Sequence, residues 1–291
     1  MQNTFLLGAS TAAHQVEGNN KNSDCWALEQ MENSSYKEPS LDAVDHYHHF
    51  EEDIRLLAEA GLNAYRFSIE WARIEPEQGI YDDIEIEHYR KVLECCKANG
   101  IIPVVTMHHF SSPKWLIRQG GWEDERTVEE FAAYCEYVIS KLGNLMEYVC
   151  TINEANMGRK IADVARDMMR KMGITPQVGM KFEMPKEILA RKAEEAAVFG
   201  LEPEQAVNTF LSFRSENGDL LIIRAHEAAK KRMKEVCPHL KVGITFSLFD
   251  LCAQPGGEEA AIKLWDEDFA HYIPYIQNDD FIGVQNYTRK L

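Results

Sequence analysis

Short apolar runs alternate along the chain with longer segments of helical periodicity. The pattern predicts six strands, most of them followed by an amphipathic helix. The predicted strands are Thr4–Gly8, Leu62–Ser68, Ile101–Thr106, Tyr148–Thr151, Val242–Phe246 and Phe281–Val284. Helices are predicted over 46–60, 84–98, 126–141, 221–236 and 258–273, within a pattern that is helical throughout from about 156 to 236. This alternation indicates parallel βαβ units in an α/β fold.

Two architectures are built from such units: an open doubly wound sheet and a (β/α)8 barrel. The open sheet usually has a glycine-rich phosphate turn after its first strand, but GASTAAHQVEG contains neither GxGxxG nor GxxxxGK[ST]. Polar residues instead follow several predicted strands: Gln15, Glu70, His108, His109, Asn153, Glu154, Asn286 and Tyr287. Because barrels assemble their sites from many strand ends, the sequence favours a TIM (β/α)8-type barrel.

The composition narrows the range of partners. Thirty-one basic and 47 acidic residues give the 291-residue chain a formal net charge of -16. Nucleic acid and anionic membranes attract clustered Lys and Arg, so we expect neither as a partner. No apolar run approaches the ~18 residues of a membrane span, and no basic segment precedes the N-terminal apolar run. The seven cysteines include no Cys-x-x-Cys spacing, and we expect a reduced, cytoplasmic protein.

Candidate chemistry follows the third and fourth predicted strands. Glu154 at a barrel strand end is suited to general acid catalysis, and the Asn153 amide to holding a substrate hydroxyl; capping of the next helix is an equally good explanation. His108 and His109 point to opposite sides of an extended segment, which favours one inward-facing histidine over a metal site. Trp122, in GGW, fits either a core position or stacking on a sugar ring.

Several motifs together resemble glycoside hydrolase family 1, in particular its β-glucosidases. They occur in the family's order: FLLGASTAAHQVEG, DHYHHFEEDIRLLAEAGLNAYRFSIEWARIEPEQG, VVTMHHFSSPKWL, GGWEDERTVEEFAAY, TINEAN and DFIGVQNYT. The match is dense over 1–156 and looser over 218–291. The resemblance implies a (β/α)8 barrel that hydrolyses small-molecule β-glycosides or oligosaccharides with retention of configuration, using no metal and no organic cofactor.

The resemblance also implies roles for residues at the fourth strand. Glu154 matches the general acid/base of the family motif Thr-x-Asn-Glu-Pro, in which Ala155 here replaces the proline. Asn153 matches the residue that holds the sugar 2-hydroxyl. Both roles are therefore expected for this chain.

Five further residues match family positions around the sugar. Gln15 and His109 match groups that bind the distal hydroxyls, and Trp122 matches an aromatic residue in the same subsite. Arg66 and Tyr287 match the pair that orients the nucleophilic carboxylate. The resemblance therefore predicts that these side chains converge with Asn153 and Glu154 at the carboxyl ends of the strands.

The sequence departs from the family pattern in two ways, and both limit what the resemblance implies for this chain. Residues 157–217 form a Met-rich helical insertion after the fourth strand, within a single barrel domain spanning 1–291. The Ile/Val-Thr-Glu-Asn-Gly nucleophile motif is absent, so only about the first six βα units are expected, in a C-terminally incomplete barrel. Glu70 is the nearest spare carboxylate, but Arg66 and Arg73 flank it at near one-turn spacing and favour an ion pair.

The missing motif leaves three explanations open: the protein continues beyond this sequence, the gene is truncated, or another polypeptide supplies the rest. A complementing C-terminal fragment or a homo-oligomer is accordingly an expected partner. Two alternatives to the β-glucosidase are an inactive sugar-binding remnant and a 6-phospho-β-glycosidase.

Overall fold

The computed structural model describes residues 5–161 and 186–290. Its centre is one curled sheet of six parallel strands in the order β1-β2-β3-β4-β5-β6. The strands are β1 (Gly8–Ser10), β2 (Ala64–Ser68), β3 (Ile102–His108), β4 (Tyr148–Ile152), β5 (Lys241–Leu251) and β6 (Phe281–Lys290). All five neighbouring pairs are parallel. The prediction of parallel βαβ units arranged as part of a TIM-type barrel is confirmed.

Helices pack outside this sheet. The longer ones are α1 (His46–Glu59), α2 (Asp83–Ala98), α3 (Arg126–Leu142), α4 (Lys186–Val198), α5 (Glu216–Val236) and α6 (Glu258–Asp268). Short helices span Ala13–Val16, Asp24–Glu29, Trp71–Ile74, Lys114–Arg118 and Ile273–Ile276, and residues 157–161 are also helical. Helices α3 and α5 pack extensively against each other. Within the two described ranges, no helix is long and apolar enough to cross a membrane.

The first and last strands differ most from their predicted bounds. β1 begins where Gly8 pairs with Ala64, whereas Phe5 and Leu7 before it are exposed. Thr4 lies outside the described residues. β6 continues six residues beyond the predicted end at Val284, because it pairs with an equally extended β5. The residues of this extension are mostly polar. They therefore do not continue the apolar run from which the strand was predicted.

The predicted helical insertion is helical in only part of its described length. Residues 157–161 and α4 are helical, but residues 199–215 form turns and irregular segments. The methionine-rich stretch at 168–172 lies outside the described residues. Asn208 joins the irregular segment to the loop after β3: its carbonyl accepts from the Trp122 amide at 3.1 Å, and its side-chain amide donates to the Gly120 carbonyl at 3.1 Å.

Two buried carboxyl groups, Glu17 and Asp24, lie in the segment after β1. Glu17 accepts from the Tyr89 hydroxyl and the Arg73 guanidinium, at 3.0 and 2.9 Å. Asp24 is fully buried, and its Oδ1 accepts from the amides of Cys25 and Ser112, each at 2.8 Å. Burial raises the pKa of Asp24 to about 7 despite these two hydrogen bonds. The folded protein therefore holds a proton on this group that the unfolded chain releases near pH 4.

This proton makes stability depend on pH in an unusual direction. The pKa of Asp24 is higher in the folded protein than in the unfolded chain. The free energy of unfolding is therefore highest below pH 4 and decreases as the pH rises towards 7. Between pH 4 and 7, we expect the free energy of unfolding of wild type to decrease by about 2–4 kcal/mol relative to that of Asp24→Asn. Urea unfolding of both proteins at pH 4.5, 6 and 8 measures the difference. A stability difference that is constant with pH would show that folded Asp24 is ionised throughout.

Candidate active site

A hydrogen-bonded cluster crosses five neighbouring strands, and Asn153 lies at its centre. Asn153 directly follows β4, and its Oδ1 accepts from Arg66 Nη2 on β2 at 2.6 Å. The same oxygen accepts from Gln285 Nε2 on β6 at 2.6 Å and from Thr245 Oγ1 on β5 at 3.2 Å. Arg66 Nε also donates to Thr106 on β3 at 2.9 Å. Three donors on one oxygen fix the direction in which the Asn153 amide faces.

The opposite end of the Asn153 amide faces His109. Asn153 Nδ2 lies 3.1 Å from His109 Nε2. An amide nitrogen only donates, so Nε2 accepts and the imidazole proton is on Nδ1. Burial, with a further contribution from the Arg66 charge, lowers the pKa of His109 to about 3. His109 is therefore neutral at physiological pH, as this hydrogen bond requires.

Glu154 has a constrained backbone beside this cluster. Its φ of 48° lies in the left-handed region, which residues other than glycine adopt infrequently and which concentrates at functional sites. The Glu154 amide donates to Thr245 Oγ1 at 3.0 Å. The residue is only 5% exposed, and burial raises the pKa of its carboxyl group, while Lys160 and Arg66 oppose that rise. A carboxyl group of this kind keeps its proton to higher pH than a solvated glutamate does.

Gln285 connects Asn153 to Tyr287. The Tyr287 hydroxyl donates to Gln285 Oε1 at 2.6 Å, while Gln285 Nε2 also reaches Thr245 Oγ1 at 3.1 Å. Tyr287 is largely exposed, and partial desolvation together with the charge of Glu154 raises its pKa. The sequence analysis missed Gln285 and Thr245. Gln285 was detectable, because residues two apart on a strand point to the same face and Tyr287 was already a candidate.

Two predicted sugar-binding residues lie outside the cluster. Gln15, in the short helix after β1, is exposed and takes no part in the cluster's hydrogen bonds within the described ranges. Trp122 is 1% exposed: its indole N–H donates to Ser112 at 3.0 Å, and its ring packs against Phe131 and Phe210. Within the described ranges Trp122 therefore lies in the core, and its expected place in the sugar subsite stays a prediction.

Among the residues that the structure describes, Glu70 forms no ion pair, contrary to expectation. It caps the short helix Trp71–Ile74, accepting from the Ala72 amide at 3.2 Å, and it accepts from Ser111 Oγ at 2.6 Å. The two flanking arginines are engaged elsewhere, Arg66 with Asn153 and Arg73 with Glu17. The expectation was wrong because sequence spacing does not show the helix start at Trp71, which gives the carboxylate backbone donors.

The described residues contain no group of three or more His, Cys, Asp or Glu side chains arranged to hold a metal ion. What the site does offer is a buried carboxyl group beside a fixed amide, a neutral imidazole and a guanidinium. Such groups suit acid catalysis on a polar, hydroxyl-rich substrate. Together with the parallel barrel sheet, they define the class of protein as a TIM-type barrel with a polar candidate site built on its strands.

Comparison with known proteins identifies the family within that class. The sequence profile of Glycosyl hydrolase family 1 matches residues 1–186, and the chain belongs to this family. A coniferin beta-glucosidase from Pinus contorta is 39% identical over 161 residues, which are 53% of this chain and 31% of the relative. A 6-phospho-beta-galactosidase from Streptococcus pneumoniae is 36% identical over 155 residues, 52% of this chain and 32% of the relative.

Solved structures extend the likeness over nearly the whole chain. The crystal structure of beta-glycosidase BGL167 matches with a TM-score of 0.84 and 42% identity, covering 98% of this chain and 65% of that protein. The apo structure of a beta-glucosidase matches with a TM-score of 0.84 and 36% identity, covering 99% and 67%. The chain thus aligns with about a third of the length of the curated relatives and with about two thirds of these solved chains.

Proposed function

We propose that this protein is a retaining β-glycosidase in which Glu154 is the general acid/base. The observation that carries the proposal is the position of Glu154, buried with a raised pKa beside the Asn153 cluster. In the first step the protonated carboxyl group gives its proton to the glycosidic oxygen as the bond to the leaving group breaks. In the second step the carboxylate removes a proton from water.

Asn153 and His109 are assigned to binding the sugar. Because Asn153 Oδ1 is saturated by donors, only the Nδ2 end remains to meet a substrate oxygen. We assign this N–H to the 2-hydroxyl and neutral His109 to a more distal hydroxyl. Gln15, exposed after β1, is assigned to the same sugar; Arg66 and Tyr287 are assigned to orienting the nucleophile.

The nucleophile is the part of the mechanism that lies outside these residues. Retention requires a second carboxylate about 5–5.5 Å from the acid/base. Within 5–161 and 186–290, the side chains that hydrogen-bond to Asn153 or Gln285 include no carboxylate. The proposal therefore assigns the nucleophile to a carboxylate outside the described ranges.

A 6-phospho-β-glycosidase is the second candidate function. It is favoured by the likeness to a 6-phospho-beta-galactosidase and, at 34% identity over 160 residues, to an aryl-phospho-beta-D-glucosidase from Bacillus subtilis. The identities of plain and phosphorylated-sugar relatives to this chain overlap, so a direct assay must separate the two.

The proposal is tested by hydrolysis of nitrophenyl β-glucoside, β-galactoside and their 6-phospho forms, with proton NMR of the first sugar product. We expect hydrolysis with the β-anomer released first, and the preferred substrate identifies the glycone. Initial release of the α-anomer would contradict retention. Binding of these glycosides without turnover would support the sugar-binding remnant, and neither binding nor turnover would contradict the proposed function.

A further inference from the structure

We propose that Gln285 is the positioning residue that sets the direction of the Asn153 amide and thereby the recognition of the sugar 2-hydroxyl. The recognition step rests on the proposed function, whereas the positioning step concerns the unliganded protein. Gln285 donates through Nε2 to Asn153 Oδ1 at 2.6 Å and to Thr245 Oγ1 at 3.1 Å. Its Oε1 accepts from Tyr287 at 2.6 Å.

These contacts are consistent with one direction for each amide. Asn153 Oδ1 only accepts, so the amide of Gln285 directs its nitrogen towards Asn153, and its Oε1 accepts from the Tyr287 hydroxyl. Since that nitrogen donates, Asn153 must turn Oδ1 towards β6 and Nδ2 towards His109. Nε2 of His109 then accepts at 3.1 Å, which leaves the ring proton on Nδ1. The tautomer of His109 therefore reports the direction of the Asn153 amide.

Gln285 also connects the Asn153 amide to the backbone of Glu154. Thr245 Oγ1 accepts from Gln285 and from the Glu154 amide, so one hydroxyl joins Gln285 to the backbone of the assigned acid/base. Arg66 donates to the same Asn153 oxygen and is the competing candidate for fixing it. The two candidates are separated by changing Gln285 while keeping Arg66.

The main test is Gln285→Glu, which keeps the length of the side chain but replaces the donor with a carboxylate oxygen. The new carboxylate repels Asn153 Oδ1 and attracts Nδ2, so we expect the Asn153 amide to reverse. Oδ1 then faces His109 Nε2, which must carry the proton instead. Nitrogen-15 NMR of the unliganded protein distinguishes the two tautomers, with the His109 signals assigned through His109→Gln.

Two further variants complete this test. Gln277→Glu makes the same charge change at an exposed glutamine whose amide donates to the Pro274 carbonyl, and we expect it to keep the wild-type tautomer. Gln285→Met removes all three hydrogen bonds without adding charge, and we expect a mixture of tautomers. If Gln285→Glu does not fold, Gln285→Met decides. An unchanged Nδ1–H tautomer in the folded Gln285 variants would show that Arg66 and Thr245 suffice, and would overturn the proposal.

A second measurement addresses recognition separately. The ratio of kcat/KM for a nitrophenyl β-glucoside to that for its 2-deoxy analogue measures the use of the 2-hydroxyl. We expect Gln285→Glu and Gln285→Met to reduce this ratio about 5- to 10-fold, while Gln277→Glu leaves it unchanged. If the tautomer of His109 reverses but this ratio does not change, Gln285 positions the Asn153 amide without affecting recognition of the 2-hydroxyl. That result would overturn only the second part of the proposal. Absence of turnover in wild type would count against the proposed function, and the tautomer would still decide the positioning step.

Discussion

Replacing Glu154 with glutamine is expected to slow hydrolysis of alkyl β-glycosides by about 10²–10⁴-fold, the usual contribution of a general acid. An alkoxide is a poor leaving group and needs the proton that Glu154 gives. A dinitrophenolate leaves without protonation, so the first step on dinitrophenyl β-glucoside should be nearly unaffected. Steady-state and single-turnover rates on both substrates measure this difference.

The pH profile provides an independent readout for the same variant. Burial raises the pKa of Glu154, so the wild-type rate should fall on the alkaline side as this group loses its proton. Glutamine has no such proton, and that limb should disappear. Glu94→Gln, at an exposed position on α2, is the matched control and should retain wild-type behaviour. If Glu154→Gln slows the first step equally on the alkyl and dinitrophenyl substrates, Glu154 is not the general acid.

Replacing Gly121 with alanine is expected to destabilise the fold by about 2–5 kcal/mol. Gly121 has a φ of 60°, and a Cβ atom placed there would lie 2.0 Å from the backbone carbonyl oxygen of Asn208. The alanine therefore meets both backbone strain and a clash that only movement of the chain can relieve. Urea unfolding gives the change in the free energy of unfolding.

Gly61→Ala separates the strain from the clash. Gly61, just after α1, has a φ of 82°, and a Cβ atom placed there would have no neighbouring atom within 4 Å. This variant should therefore lose only about 1–2 kcal/mol. Limited proteolysis then shows where the clash acts, since displacement of Asn208 should expose the segment 199–215 to cleavage. Equal losses in the two variants, with no new cleavage, would contradict a close contact between Gly121 and Asn208.

The order of the strands was predictable, but the hydrogen bonds of the site were not. Alternating apolar runs and helical segments were enough to predict parallel βαβ units, because local periodicity decides both element types. The position of Asn153 after β4 followed from the same pattern. The contacts of Thr245 depend on the register between β4 and β5, which strand periodicity does not determine.

Contacts that the sequence did not predict have equally local causes. Glu70 was expected in an ion pair because two arginines are near it in sequence, but a helix start and Ser111 provide its partners. Trp122 was assigned to a sugar subsite from its motif, whereas its contacts with Phe131 and Phe210 in the core could not be predicted from the sequence. In each case the three-dimensional neighbour, rather than the neighbour in sequence, decides the role of the side chain.

The sequential strand order has a consequence for folding during translation. Each strand pairs with the one synthesised before it, so the sheet can grow in the order in which the ribosome releases the chain. The connection from Ile152 to Lys241 is more than twice as long as that from His108 to Tyr148. The extra length adds only about 0.6 kcal/mol of loop-closure cost per doubling. At ordinary elongation rates, however, the ribosome synthesises β5 on the order of 10 s after β4. The edge of β4 therefore stays unpaired for longer than the edge of any other strand that pairs with a later one in this sheet.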